Sequence, residues 1–181
     1  MVVYTKKGDK GETGLFSSDP GKSRRVSKNS PVIAAIGAID EANSFLGICV
    51  ALSKSKIKKE LEGIQRDMFT IGSILAGANL KLPSSRVKYF EHEIDKMDAN
   101  LPVLANFILP GGGEQGAYLH YARTLIRRAE RALVSLPKIQ TTNPEILVYI
   151  NRLSDYLFML ARDSNHKEGR EEKVWIKKRS K

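Results

Sequence analysis

PVIAAIGAIDEANSFLGICVALS, residues 31–53, decides the fold. Ile33, Ile36, Ala38, Ile39, Ala42, Phe45, Leu46, Cys49 and Val50 recur three and four apart, the period of a helix with one wide apolar stripe. Pro31 suits a first helical turn, where its missing N–H leaves no bond unmade. The stretch therefore predicts a helix from about Pro31 to Ser53, and the same period returns four times downstream. Ile57, Leu61, Ile64, Met68, Ile71, Ile74 and Leu75 predict a second helix over roughly Lys56 to Ala78. Its glycines Gly63, Gly72 and Gly77 lower the intrinsic propensity, so packing must hold it. A third helix begins near Ser84 or Ser85, either a good N-cap, and fades by Asp98. Pro102, Pro110 and the run Gly111-Gly112-Gly113 forbid helix between Asn100 and Gly113. A fourth helix resumes near Glu114 and ends before Pro137, and a fifth starts after Asn143-Pro144 and runs to about Asn165.

Helices joined by connections of a few to about fifteen residues describe an all-α, five-helix up-and-down bundle. No alternation of strand and helix units and no internal repeat is visible. The expected organisation is one domain over 1–181: an extended basic arm at 1–30, the bundle at 31–167 and a basic tail at 168–181.

The 181 residues carry a net charge of +10, with 41% hydrophobic and 28% charged side chains, which excludes a low-complexity disordered chain. No window approaches the ~18 consecutive apolar residues of a spanning helix, and Lys6, Lys7, Asp9 and Lys10 follow the N-terminus without an apolar signal core, so the cytosol is the expected compartment. The single cysteine, Cys49, excludes an intramolecular disulfide and reads as a buried small hydrophobe. Residues 1–30 hold seven basic and three acidic groups and residues 162–181 hold eight and four, which leaves the middle nearly neutral. A basic fringe on a neutral body attracts polyanions: nucleic acid, a nucleoside triphosphate or counterions.

Four constellations could carry chemistry. Thr5-Lys6-Lys7-Gly8-Asp9-Lys10-Gly11-Glu12-Thr13-Gly14-Leu15 places three glycines where tight turns can gather backbone N–H groups beside hydroxyls and ammoniums, an arrangement suited to phosphate oxygens. A flexible tail is the alternative. Gly21-Lys22-Ser23 does not complete a Walker A loop, because Phe16 stands where its first glycine belongs. In the fourth helix Arg123, Arg127, Glu130 and Arg131 share a face, with Arg128 beside them; such clustering suits a bound anion, and a solvated face of Arg–Glu pairs is the alternative. Asn151 and Asp155 stand one turn apart in an apolar stretch of the fifth helix, able to anchor an arginine, fix a ribose or lock register, and Ser154 could be interior packing. Asp40 and Glu41 follow a small apolar run on the first helix and are suited to pair with an arginine of the fourth, within the chain or across subunits. His92, His120 and His166 are widely scattered, which argues against a histidine metal site.

These pieces together resemble the PduO-type ATP:cob(I)alamin adenosyltransferases. The resemblance rests on T-K-x-G-D-x-G-x-T-x-L from Thr5 to Leu15, on Gly37-x-x-Asp40-Glu41-x-Asn43, on Phe107-Ile108-Leu109-Pro110-Gly111-Gly112, on Arg127-Arg128-Ala129-Glu130-Arg131, and on Asn151-Arg152-Leu153-Ser154-Asp155-Tyr156-Leu157-Phe158. It implies a homotrimer that binds ATP between subunits. Thr5, Lys6, Gly8, Asp9, Gly11, Thr13, Gly14, Arg24 and Lys28 of one subunit, with Arg127, Arg128, Glu130, Arg131 and Asn151 of the other, would hold the nucleotide. Asp40 and Arg123 resemble the intersubunit ion pair beside the active site. Phe107 resembles the aromatic residue that keeps the lower axial ligand off cobalt, and Asp155 and Phe158 would also face the corrin.

The implied reaction is attack of cobalt(I) on the ribose C5′ of ATP, giving adenosylcobalamin and triphosphate. Mg²⁺ would arrive with ATP rather than on protein ligands, and cobalamin and ATP are substrates. A cobalamin reductase and an adenosylcobalamin-dependent enzyme are the partners such a reaction implies; nucleic acid and membrane are not. A basic helical nucleic-acid-binding module is the competing reading of the charge. The basic tail with Trp175 lies outside the matched motifs; it either orders over the corrin or, as the plainer expectation, stays solvated.

Overall fold

A computed structural model describes residues 4–17, 24–53, 55–137 and 144–176. Five helices form the body: α1 (Pro31–Leu52), α2 (Ser55–Leu75), α3 (Ser85–Asp98), α4 (Glu114–Val134) and α5 (Pro144–Lys167). The arm adds a two-stranded antiparallel hairpin, β1 (Glu12–Leu15) with β2 (Arg24–Ser27), so the body is all-α while the whole chain is not strictly so. Gly21-Lys22-Ser23, Asn143 and the tail beyond Ile176 lie outside the described residues.

Helices α1 and α2 pack as one hairpin and α4 and α5 as another; α1 lies on α4, and α3 covers α5. From α1 the core receives Val32, Ala35, Ile39, Ala42, Leu46 and Cys49, spaced three and four apart. Ile33, Ile36 and Phe45 of the expected stripe are only half-buried, and Ile48 is exposed. Helix α1 is long and apolar enough in mean hydropathy to cross a membrane, yet its core-facing side is consumed by the bundle and it carries Asp40 and Glu41. Burial pushes the Cys49 thiol up to about 11, in keeping with a packing role.

Polar groups tie the outer helices down. Asp67 on α2 accepts a hydrogen bond from Arg86 Nε of α3 (2.5 Å) and from the buried Tyr149 hydroxyl of α5 (2.9 Å). Tyr156 donates to Glu60 at 2.6 Å. Each buried hydroxyl is thus satisfied across a helix interface, where an unpaired one would cost about 1–3 kcal/mol.

Helix α2 stops at Leu75, short of the expected Ala78, because Gly77 adopts φ +102° and closes a Schellman motif: Gly77 N–H donates to Ile74 O and Ala78 N–H to Ser73 O, both at 2.9 Å. Helix α5 ends the same way at Gly169 (φ +65°), with Gly169 N–H to His166 O and Arg170 N–H to Asn165 O. These two ends position the functional segments. Phe16 N–H of the arm donates to Ala76 O at 2.7 Å, and the chain beyond Gly169 turns back along the bundle.

Residues 170–176 stay exposed apart from the half-buried Glu172, as the plainer expectation has it, yet their backbone is docked on the body: Val174 bridges Ile108, Leu109 N–H donates to Lys173 O (2.8 Å) and Trp175 N–H to Phe107 O (2.7 Å).

Candidate active site

The arm is folded on itself before any partner is considered. Its register pairs Thr13 with Val26 and Gly14 with Arg25, Lys28 N–H donates to Gly11 O at 2.8 Å, and Arg25 Nη2 reaches Lys7 O at 2.6 Å. Arg25 also faces Glu12 at 3.5 Å. The hairpin brings the Lys28 ammonium over Gly8, where a Cβ would sit 3.2 Å from Nζ. Lys6 holds φ +58° and Gly11 φ +79°, so the 5–11 segment is a fixed turn and not extended tail. Thr5, Lys6, Asp9, Gly11, Gly14, Arg24 and Lys28 are exposed, while Gly8 and Thr13 are half-buried. The whole turn is therefore presented outward, with its ammoniums at the surface.

On α4 the arginines separate by role. Arg123 and Arg127 enter a recess of about 320 Å³ lined also by Arg152, Ser154, Asp155, Phe158 and Ile94. Arg123 is half-buried, and its Nε lies buried without a hydrogen-bond partner. Burial, and then the neighbouring Arg127 charge, lower its guanidinium below the ordinary arginine value. An unpaired, partly desolvated cation beside a second cation is a site that an anion would relieve. Arg128 instead pairs with Glu41 of α1 within the chain, which settles one alternative for the acidic pair. Glu130 accepts a hydrogen bond from Asn151 Nδ2 at 2.9 Å, and Arg131 is exposed.

Asn151 and Asp155 are exposed although their stretch is apolar, because the helix rotates Leu153, Ser154, Tyr156 and Leu157 into the core. Asp155 binds Arg152 Nη1 at 2.8 Å, and Arg152 Nε also reaches Glu91 at 3.1 Å. Ser154 is interior, its hydroxyl donating to Asn151 O at 2.9 Å.

Asp40 lies elsewhere. It lines an apolar groove of about 430 Å³ between α1 and α2 with Ile33, Ile36, Gly37, Met68, Phe69 and the arm's Phe16. No ion pair joins Asp40 to Arg123 within the chain. Phe107 is 82% exposed and lines a third recess, about 600 Å³, with Leu104, Val174, Trp175 and Ile176. Such a cluster of exposed apolar side chains marks a surface that meets something.

Among the described residues no group of three or more His, Cys, Asp and Glu side chains is placed to hold a metal ion. His120 is buried against Phe158 with both ring nitrogens unpartnered, and burial, with a further push from Arg123, lowers it to about 4. The sequence reading passed over Phe16, Arg162, Asn165 and Glu172. Of these only Arg162 left a signal, a lone cation at core spacing in the apolar run after Tyr156.

Fold and recesses define a helical-bundle protein with two neighbouring guanidiniums, Arg123 and Arg127, in a recess suited to an anion, and with exposed apolar surface around Phe107. A family model described as cobalamin adenosyltransferase matches residues 3–164. The corrinoid adenosyltransferase of Bacillus subtilis is 40% identical over 178 residues, covering 93% of this chain and 89% of that protein. Human corrinoid adenosyltransferase MMAB is 37% identical, with 97% and 73% covered. A variant of the PduO-type ATP:corrinoid adenosyltransferase of Lactobacillus reuteri, solved with cobalamin and ATP, superposes with a TM-score of 0.89 at 36% identity, 96% of each chain covered. The chain belongs to the cobalamin adenosyltransferase family.

Proposed function

We infer that this enzyme transfers the 5′-deoxyadenosyl group of ATP to the cobalt(I) of a corrinoid. The cobalt lone pair forms the Co–C5′ bond, the C5′–O bond breaks, and its electron pair leaves with triphosphate. The observation that carries the reading is the Arg123–Arg127 recess, where a half-buried guanidinium has an unpartnered Nε. Charge grows on the leaving triphosphate, so preorganised cations stabilise the transition state more than the ground state. Cobalt(I) is itself a strong nucleophile, and no side chain need activate it.

The arm and the arginine helix serve one nucleotide across a subunit boundary. Thr5, Lys6, Gly8, Asp9, Gly11, Thr13, Gly14, Arg24 and Lys28 of one subunit meet Arg127, Arg128, Glu130, Arg131 and Asn151 of the next in a homotrimer. Support for this is the outward presentation of both groups and the separation, within one chain, of Asp40 from Arg123, which a neighbouring subunit would bring together as an ion pair. The half-exposed apolar face of α1 suits the same contact. Mg²⁺ would come with ATP rather than on protein ligands, and would supply charge neutralisation to the triphosphate beside Arg127. Phe107 meets the corrin's lower face, where an apolar ring in place of the axial ligand makes cobalt(II) easier to reduce, while Phe158 and Asp155 border the same corrin. The compartment is the cytosol, with a reductase supplying electrons and an adenosylcobalamin-dependent enzyme receiving the product.

An anaerobic assay with ATP, Mg²⁺ and chemically reduced cobalamin tests the activity, read by the spectrum of the adenosylated product. No product, together with tight, salt-sensitive RNA or DNA binding indifferent to ATP, would establish the nucleic-acid module instead. Sedimentation of the purified protein tests the trimer.

A further inference from the structure

Arg162 has no place in the chemistry above, yet it is the largest fully buried side chain among the described residues, at 1% exposure. A guanidinium withdrawn from water is costly unless its donors are met. Here Nε donates to Glu172 Oε1 at 2.8 Å, Nη2 to Glu172 Oε2 at 3.1 Å and to Pro102 O at 2.8 Å. The fork thus joins three pieces of chain: α5, the segment that leads into Phe107, and the segment that leads into Trp175.

Those two segments are bonded to each other a few residues further on, Trp175 N–H to Phe107 O and Leu109 N–H to Lys173 O. One turn along the same face of α5, Asn165 (3% exposed) fixes the other end. Its Nδ2 donates to Gly111 O at 2.8 Å and its Oδ1 accepts from Gly113 N–H at 3.0 Å, one of the free donors at the start of α4. A Cβ at Gly112 or Gly116 would overlap Asn165, so glycine at these two positions lets this side chain in. Phe107 itself is 82% exposed. Packing therefore does not hold its ring in place; backbone bonds and two buried side chains of α5 hold its strand.

We propose that Arg162, through its forked pair with Glu172, is the positioning residue for Phe107: it docks the 172–176 segment as the strand that backs Phe107 and so sets the ring's placement toward the corrin. This rests on the reading of Phe107 given above. A ring that must displace a ligand from cobalt works only if its position is fixed beforehand, because free rotation of the strand would dissipate the effect.

The chain's single tryptophan, Trp175, sits in the docked strand and reports on it directly. Arg162→Met keeps side-chain length without a buried charge, and Glu172→Gln keeps shape at a partly exposed position, which secures the test if the first variant folds poorly. The expected result is a red-shifted Trp175 emission with at least two-fold greater quenching by iodide in both variants, stronger in Arg162→Met. Adenosylation started from cobalt(II) with a chemical reductant should fall at least five-fold more than adenosylation started from pre-reduced cobalt(I), and the KM for ATP should stay within two-fold. Unchanged emission and quenching in both variants would overturn the clamp, as would a released Trp175 with equal losses in the two assays. Phe107→Ala is run in parallel: if it shows no split between cobalt(II) and cobalt(I), the reading of Phe107 fails, while the Trp175 signal still judges the clamp.

Discussion

Gly77→Ala separates two costs that meet at one carbon atom. Gly77 is the left-handed residue that ends α2, at φ +102°, and an L residue there pays about 1–2 kcal/mol of backbone strain. The new Cβ would also lie 2.8 Å from Phe16 O, a backbone atom that cannot swing aside. Relief requires moving Phe16 and stretching its 2.7 Å bond to Ala76 O, a further loss of about 1 kcal/mol. The sum is about 2–3 kcal/mol, or a urea midpoint lower by about 1 M at an m-value near 2 kcal/mol/M. Gly169→Ala is the control, since Gly169 ends α5 in the same motif at φ +65° but has nothing within 4 Å of its added Cβ. Its cost should be strain alone. Equilibrium urea unfolding of the two variants should therefore differ by at least about 1 kcal/mol. Because the displaced residue anchors the arm, Gly77→Ala should also raise the KM for ATP several-fold. Equal stability losses in the two variants would refute the steric argument, and an unchanged KM would remove the arm from the nucleotide.

Arg127→Ala should lose about 2–4 kcal/mol of transition-state stabilisation, the scale for deleting one charge-assisted donor from a preorganised site, and near-normal kcat/KM in a folded protein would count against its placement. Phe107→Ala should impair the reaction from cobalt(II) more than the reaction from cobalt(I); equal impairment removes the ligand-displacement role. His120 makes stability pH-dependent. Its folded value of about 4 lies below the unfolded 6.5, so the unfolded chain binds the extra proton first and stability falls as pH drops from about 6.5 toward 4, by up to about 3 kcal/mol. His120→Phe should flatten that part of the urea-midpoint profile, and an unchanged slope would show that another group is responsible.

The helices were readable because their apolar pattern runs for several turns and their ends are marked by Pro31, Gly113 and Pro144, whereas Gly77 was read as interior to a helix that it in fact ends. Which apolar residues face the chain's own core was not. On α1 the nominated stripe took in Ile33, Ile36 and Phe45 and missed Val32 and Ala35, because α1 is apolar on more than one side and periodicity cannot say which side meets the core and which meets a partner. The direction of Asn151 and Asp155 was open for a related reason: neighbours in an apolar run share its composition but not its direction. The arm's hairpin carries no alternating apolar pattern, and its strands are held by backbone pairing that composition does not encode. The clamp was hidden because Arg162 finds Glu172 and Pro102 only after the chain folds, the second of them sixty residues away.

The division of labour in this protein follows from the chemistry it is built to serve. A nucleophile that arrives ready-made removes the need for a base, so the chain invests instead in cations with little to bind and in apolar surface with little to cover. Arg123 retains a buried, unpartnered Nε, and Phe107 retains an exposed ring; in a protein that only had to fold, each would be a fault. Both are held from behind: α4 and α5 pack along their length, and Arg162 and Asn165 bond the segments on either side of Phe107 through Pro102, Glu172 and Gly111. Stability is thus concentrated behind the site and unmet bonding capacity in front of it, the arrangement expected where binding a triphosphate and a flat apolar macrocycle completes what folding leaves open.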